Sequence, residues 1–155
     1  TMLSEHVMLS AGPYRLADMK MYPMEIGKAA EHLVCTDLIC MGYRAMLSDQ
    51  GLPYDILVEI TAPSRGMVRL QVKGNAVRRA SDGGYQFKFH RNNNRKSLTS
   101  DDCDIVACVA LDIGKISYFP LHKIARSRYF KKGIVLGHHG FQEAVDDHIR
   151  FVNSR

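Results

Sequence analysis

An α/β domain with a mixed central β-sheet flanked by helices is the fold class this sequence predicts, and three observations predict it. Apolar residues recur at three- and four-residue intervals over 23–41, as on one face of a helix. Three short apolar runs bounded by strong turn signals follow and read as strands. The nearly continuous apolar run from Cys103 to Leu111 then has the character of a strand buried on both faces. With 155 residues there is room for one proper core and too little for two, so 1–155 reads as a single domain. Its parts are an arm over 1–22, a core over 23–120 and a C-terminal helical extension over 121–155.

Residues 1–22 are rich in Met, show no clean period and carry a Gly12–Pro13 turn signal, which fits an arm or a subunit contact. The first helix starts at Pro23, stops at Gly42 and carries its stripe on Ile26, Ala30, Leu33, Val34, Leu38 and Met41. Glu31 sits beside that stripe, next to Ala30, so its carboxylate is placed to reach a sheet edge. Tyr43–Leu47, Tyr54–Ile60 and Met67–Val72 are the expected strands of a meander, separated by turn signals at 49–51 and 62–66. Tyr85–His90 alternates and predicts a fourth strand with Tyr85, Phe87 and Phe89 on one face. The segment from His90 to Lys96 is polar and basic, a loop or a helix start. Lys115–Pro120 is a strand neighbour of the 103–111 run, and Leu121–Tyr129 and Phe141–Val152 are expected helices.

An apolar content of 46% without a run of 18 apolar residues excludes a transmembrane helix. Thr1–His6 lacks the charged start and apolar stretch of a secretory signal, and the expected location is intracellular, with no membrane partner. The four cysteines fall in two x4 spacings, Cys35/Cys40 and Cys103/Cys108, matching neither paired zinc motifs nor a disulfide framework, so reduced and mostly buried thiols are expected. The net charge of +5 is unevenly spread. Nine Lys or Arg and one acid, Asp82, lie between Arg65 and Lys96, against twelve basic and fifteen acidic residues elsewhere. A local positive field of this kind suits a polyanion held against one face, or else a solvated hairpin.

Chemistry concentrates on Asp55, at the start of an apolar strand, and on Gln71-x-Lys73, at the end of the next. Residues at i and i+2 of a strand share a face, so Gln71 and Lys73 point one way while Val72 points into the core. Hydrolysis of a phosphodiester needs an activated water and neutralisation of the charge that builds on phosphate, and a hard divalent cation supplies parts of both. Magnesium takes oxygen ligands and keeps several waters. Asp55 is the first candidate ligand, with the Gln71 amide oxygen and the Val72 backbone carbonyl beside it, and Glu31 is the candidate either to bind a second metal or to orient a water ligand. Lys73 is the candidate for placing the attacking water and stabilising developing charge. Taken singly, Asp55 would serve as well to cap a turn, Lys73 as a surface lysine and Glu31 as half of a helix ion pair. Their joint order on helix, strand and strand is what carries the reading. Glu59, four residues beyond Asp55 on the same strand face, is a secondary acid.

Gly27-x-x-Ala30–Glu31, Tyr54–Asp55 and Gln71-x-Lys73 together resemble the PD-(D/E)xK nuclease superfamily, and within it the small single-domain endonucleases associated with mobile introns, phage and Holliday junction resolution. The resemblance spans roughly residues 24–120. It implies a restriction-endonuclease-like core and a magnesium-dependent endodeoxyribonuclease, with Mn²⁺ as possible substitute, acting on DNA as a homodimer or higher homo-oligomer. The implied catalytic residues are Glu31, Asp55, Gln71 and Lys73. Two positions depart from the pattern: Tyr54 stands in the place of Pro, and the neutral Gln71 in the place of the middle acid.

The expected DNA contacts are Lys88, Arg91, Asn94, Arg95 and Lys96, with Arg78 and Arg79 across the hairpin, placed to straddle a phosphate backbone. The rival readings are a degenerate nuclease fold that binds DNA without cutting it, supported by Gln71, and an assembly protein using the N-terminal arm and C-terminal helix. His138–His139 lacks paired ligands at zinc spacing, and no Ser-His-Asp signature is present.

Overall fold

The computed structural model describes residues 22–76, 85–89, 96–124 and 139–155. The element order is α1 (Pro23–Cys40), β1 (Arg44–Leu47), β2 (Ile56–Ile60), β3 (Gly66–Asn75), β4 (Ile105–Ala110), β5 (Lys115–Pro120), α2 (Leu121–Ile124) and α3 (Phe141–Asn153). The N-terminal arm expected over 1–22 lies outside the described residues apart from Tyr22. Pro23 opens α1, where its missing N–H is no loss. The helix closes where the Tyr43 N–H donates to the Leu38 carbonyl at 3.0 Å, a return that needs the φ of +95° that Gly42 supplies.

Five strands form one mixed sheet in the order β1-β2-β3-β4-β5. β1, β2 and β3 are antiparallel neighbours, as the meander predicted; β3 and β4 run parallel, and β5 returns antiparallel. Alternation sorts the side chains into two cores. On one face Ile56, Val58, Leu70, Val72, Ala107, Val109, Ile116 and Tyr118 pack under α1 and α3, with Ala30, Val34 and Leu38 from α1 and Phe141, Ala144 and Val145 from α3. The C-terminal helix is therefore part of the main core. Phe141 makes edge contacts with Tyr43 and Tyr118 at 4.7 and 5.5 Å, and the Tyr43 hydroxyl donates to Gln142 at 2.9 Å. On the other face Val106, Cys108, Ala110 and Phe119 lie under Phe87, Phe89, Leu98 and α2. Among the described residues this second core is centred on β4 and β5. Met46 and Met67, facing the same way from β1 and β3, remain 52% and 49% exposed.

One predicted strand is corrected. Residues 85–89 are not a strand of the sheet, because β3 pairs directly with β4 and leaves no ladder between them. Parallel neighbours need a crossover connection, and this segment is part of it. Phe87 and Phe89 alternate inward as expected, but into the second core, and the segment is tied down by Asn75 Nδ2 on the Gln86 carbonyl (2.6 Å) and by the Tyr85 hydroxyl on Asp112 (2.7 Å). The crossover returns at Asp104, whose carboxylate accepts from the Arg69 backbone N–H (2.9 Å), Nε (3.2 Å) and Nη2 (2.9 Å). The apolar run expected over 103–111 is β4 over its middle six residues, all buried. All four cysteines are free; Cys103 and Cys108 are buried, Cys35 is half-buried and Cys40 is exposed. No helix of the described residues is long and apolar enough to cross a membrane.

A buried carboxylate marks α1. Asp37 is inaccessible, its Oδ2 accepts from the Tyr118 hydroxyl at 2.9 Å, and its Oδ1 has no partner among the described residues. Burial pushes this carboxyl above its ordinary range, with the Tyr118 bond opposing. The folded chain thus holds the proton more tightly than the unfolded chain. The resulting stability is full below the ordinary carboxylate pKa and is lost as pH rises through the raised folded value. Asp37→Asn keeps an acceptor for Tyr118 and removes the charge. Its melting temperature at neutral pH is expected to rise by a few degrees, on a scale of about 2–4 °C per kcal/mol for a chain of this size. Thermal melts from the acid range to neutrality will show a flatter decline than wild type.

Candidate active site

The site begins where β3 outruns β2. The β2–β3 register ends at Ile56 opposite Leu70, while β3 continues to Asn75, backed on its other side by β4 as far as Ala110. Asp55 fills the gap. Its N–H donates to the Leu70 carbonyl at 2.8 Å, so Asp55 and Ile56 both face Leu70, the two-against-one count of a β-bulge, which re-aims a side chain. Its Oδ2 accepts from the Val72 N–H at 2.7 Å, replacing the strand that is missing there. Ser48 secures the same turn from β1's end, its N–H on the Asp55 carbonyl at 2.9 Å and its hydroxyl on the Tyr54 carbonyl. In a strand the N–H and C=O of one residue point to the same side, so the Val72 carbonyl also faces this open edge.

Val72 is only 8% exposed and lies in the helix-side core, while Gln71 and Lys73 are half-buried on the opposite face, as the alternation predicted. Gln71 stands opposite Val106 and Lys73 opposite Cys108 in the parallel ladder. The site's ionisable groups are all shifted toward neutrality. Burial pushes the Asp55 carboxyl up, opposed by the Val72 N–H and by Lys73. Burial pushes Lys73 down, opposed chiefly by Asp55. Burial, and then the Asp55 charge, push Glu31 up, so α1 delivers its acid within electrostatic reach of Asp55. Two carboxylates and an ammonium are thus held in a half-buried place that favours none of their charges. Cys108 stands opposite Lys73 and Cys103 lies within electrostatic reach of it; burial pushes the Cys103 thiol to about 12 and Cys108 well above its ordinary value, so both stay neutral thiols.

The structure brings Glu31, Asp55, Gln71, Val72 and Lys73 to one end of the sheet. Glu59 is elsewhere: the register sets it opposite Arg44 and Met67, and its carboxylate pairs with Arg44 at 3.9 Å. Among the described residues no three of His, Cys, Asp or Glu gather at metal-holding distance. The donors present are two carboxylates, an amide oxygen and a backbone carbonyl, all hard oxygens of the kind magnesium takes. Of the expected DNA contacts, Lys88 and Lys96 are exposed, and Arg78, Arg79, Arg91, Asn94 and Arg95 lie outside the described residues. His139 lies tilted against Phe119, with ring centroids 4.7 Å apart. Sequence reasoning missed Ser48, the two thiols beside Lys73, and Gly74. Only Gly74 left a signal, a glycine inside a strand, which often marks close approach of another backbone.

No protein-family model matches this sequence, and no curated protein matches it. Among solved structures, the fold is similar to that of a bacterial homing endonuclease, I-Ssp6803I, with a TM-score of 0.60 at 12% identity, over 86% of this chain and 94% of that chain. At that identity the likeness is one of fold: a five-stranded mixed sheet flanked by helices.

Proposed function

We propose that this chain is a metal-dependent DNA endonuclease of the PD-(D/E)xK type, a homing, restriction or resolvase enzyme that hydrolyses phosphodiester bonds with Mg²⁺ or Mn²⁺. One observation carries the reading: Asp55, Gln71, Val72, Lys73 and the helical Glu31 meet at the open end of β2 and β3, in a fold shared with a homing endonuclease. Asp55, the Gln71 amide and the Val72 carbonyl would hold the cation, and Glu31 would orient a water on it. The cation supplies an acidified water and charge neutralisation at the phosphate. Lys73 places the attacking water and faces the charge that develops on phosphate. The Val72 N–H fixes one Asp55 oxygen and so aims the other. The enzyme acts as a homodimer, since one site cuts one strand and a two-fold pair presents two.

The test is cleavage of labelled linear duplex, supercoiled plasmid and four-way junction DNA with magnesium, manganese or chelator. Cuts that need metal are expected. Salt-sensitive binding without cuts on any substrate would favour the second reading, a DNA-binding module that has lost catalysis, for which the neutral Gln71 is the specific support; Gln71→Glu would then restore cutting. Neutralising Arg91, Arg95 and Lys96 together is expected to weaken DNA binding and to lower the salt slope by about 0.9 for each phosphate that is no longer neutralised. Binding measured against salt concentration checks this, and an unchanged slope moves the DNA surface elsewhere.

A further inference from the structure

We infer that Gly74 is a positioning residue of this site: its missing side chain lets α1 sit directly on β3 and so sets the distance between Glu31 and the strand that carries Gln71 and Lys73. A Cβ built at Gly74 would stand 2.6 Å from the Ala30 Cβ, with the Ile26 carbonyl oxygen at 3.5 Å and the Ile26 Cγ2 at 3.7 Å. Those three neighbours belong to one turn of α1, whose residues 26 and 30 share a face. The approach is specific to this strand position; the same construction at Gly27, Gly66 and Gly140 meets nothing within 4 Å. Glu31 follows Ala30 and Lys73 precedes Gly74, so the close approach is one residue from a site group on both elements. The Ala30 Cβ is fixed to the helix backbone and has no rotamer by which to withdraw. Relief to an ordinary carbon–carbon separation of about 3.5 Å would therefore move helix and strand apart by about 1 Å. Displacements of that size in a catalytic constellation cost on the order of 10²-fold in rate. The inference rests on the nuclease reading for its kinetic part only; the packing part stands without it.

The experiment compares wild type, Gly74→Ala, Ala30→Gly and the double variant Ala30→Gly/Gly74→Ala. Amide NMR shifts at Ile26, Val34 and Leu70, none of them adjacent in the chain to a substituted residue, report the spacing, and the Mn²⁺ concentration for half-maximal plasmid cleavage reports the site. Gly74→Ala is expected to displace those amides, to raise the Mn²⁺ requirement and to cut the maximal rate on the order of 10²-fold, with DNA binding in calcium unchanged. The double variant removes the opposing Cβ and is expected to return the amides and the rate to within about tenfold of wild type. Should Gly74→Ala fail to fold, refolding of the double variant with wild-type-like amide shifts makes the same case. Wild-type shifts and kinetics in Gly74→Ala, or no recovery in a folded double variant, overturn the inference. Amide shifts that move and recover as expected, in a protein that cuts no DNA, uphold the spacing role and overturn the nuclease reading instead.

Discussion

Asp55→Ala is expected to abolish metal-dependent cleavage, by on the order of 10³-fold or more, and to lower stability as well. Both effects come from one carboxylate. Its Oδ2 accepts the Val72 N–H at 2.7 Å, and deleting an acceptor for a half-buried backbone donor costs about 1–3 kcal/mol. Asp55→Asn separates the two roles: the amide oxygen still accepts from Val72, so melting stays nearer to wild type, while the lost charge removes cleavage equally. Wild-type cleavage should also depend on pH in a stated direction. Burial holds Asp55 and Glu31 above the ordinary carboxylate range, and ligands must be deprotonated to bind metal. The metal requirement therefore falls as pH rises through those raised values. A metal requirement that does not change with pH, or an Asp55→Asn variant that still cuts, would remove Asp55 from the metal site.

Lys73→Ala is expected to reduce the cleavage rate by on the order of 10²–10³-fold, with DNA affinity and its salt slope nearly unchanged. Lys73 is half-buried and within electrostatic reach of Asp55 and two neutral thiols, so its charge acts locally and contributes little to the field that attracts DNA. Arginine is not an equivalent: its planar fork replaces a compact point charge in a half-buried place. Because burial moves Lys73 below the ordinary lysine range, the charged form is lost at a lower pH than for an exposed lysine. Activity should decline on the alkaline side accordingly, and Lys73→Arg, which keeps its charge, should lose rate at every pH but show no such alkaline decline. Single-turnover cleavage and calcium-supported binding across pH measure both. A large loss of binding with an intact rate would make Lys73 a DNA-binding residue.

The local order of this protein was determined by the sequence itself. Periodicity delimited α1, β1 to β5 and α3 to within a few residues, since burial on one face selects a period that any correct fold must honour. The alternation at Gln71, Val72 and Lys73 likewise sent Val72 to the core and its neighbours to the other face. Tyr85–Phe89 shows where that logic ends: the alternating pattern was real, yet an alternating run fits any apolar surface, and whether a ladder slot exists beside it depends on β3 pairing with β4, a strand far along the chain. The same holds for the site. Residue types and spacing named Asp55, Gln71, Lys73 and Glu31, but their meeting depends on β3 outrunning β2, on a bulge that turns Asp55 onto the Val72 N–H, and on a helix lying against Gly74. Those arrangements join distant segments, and only the tertiary structure decides them, because a chain's local preferences specify what each element buries and not which neighbour buries it.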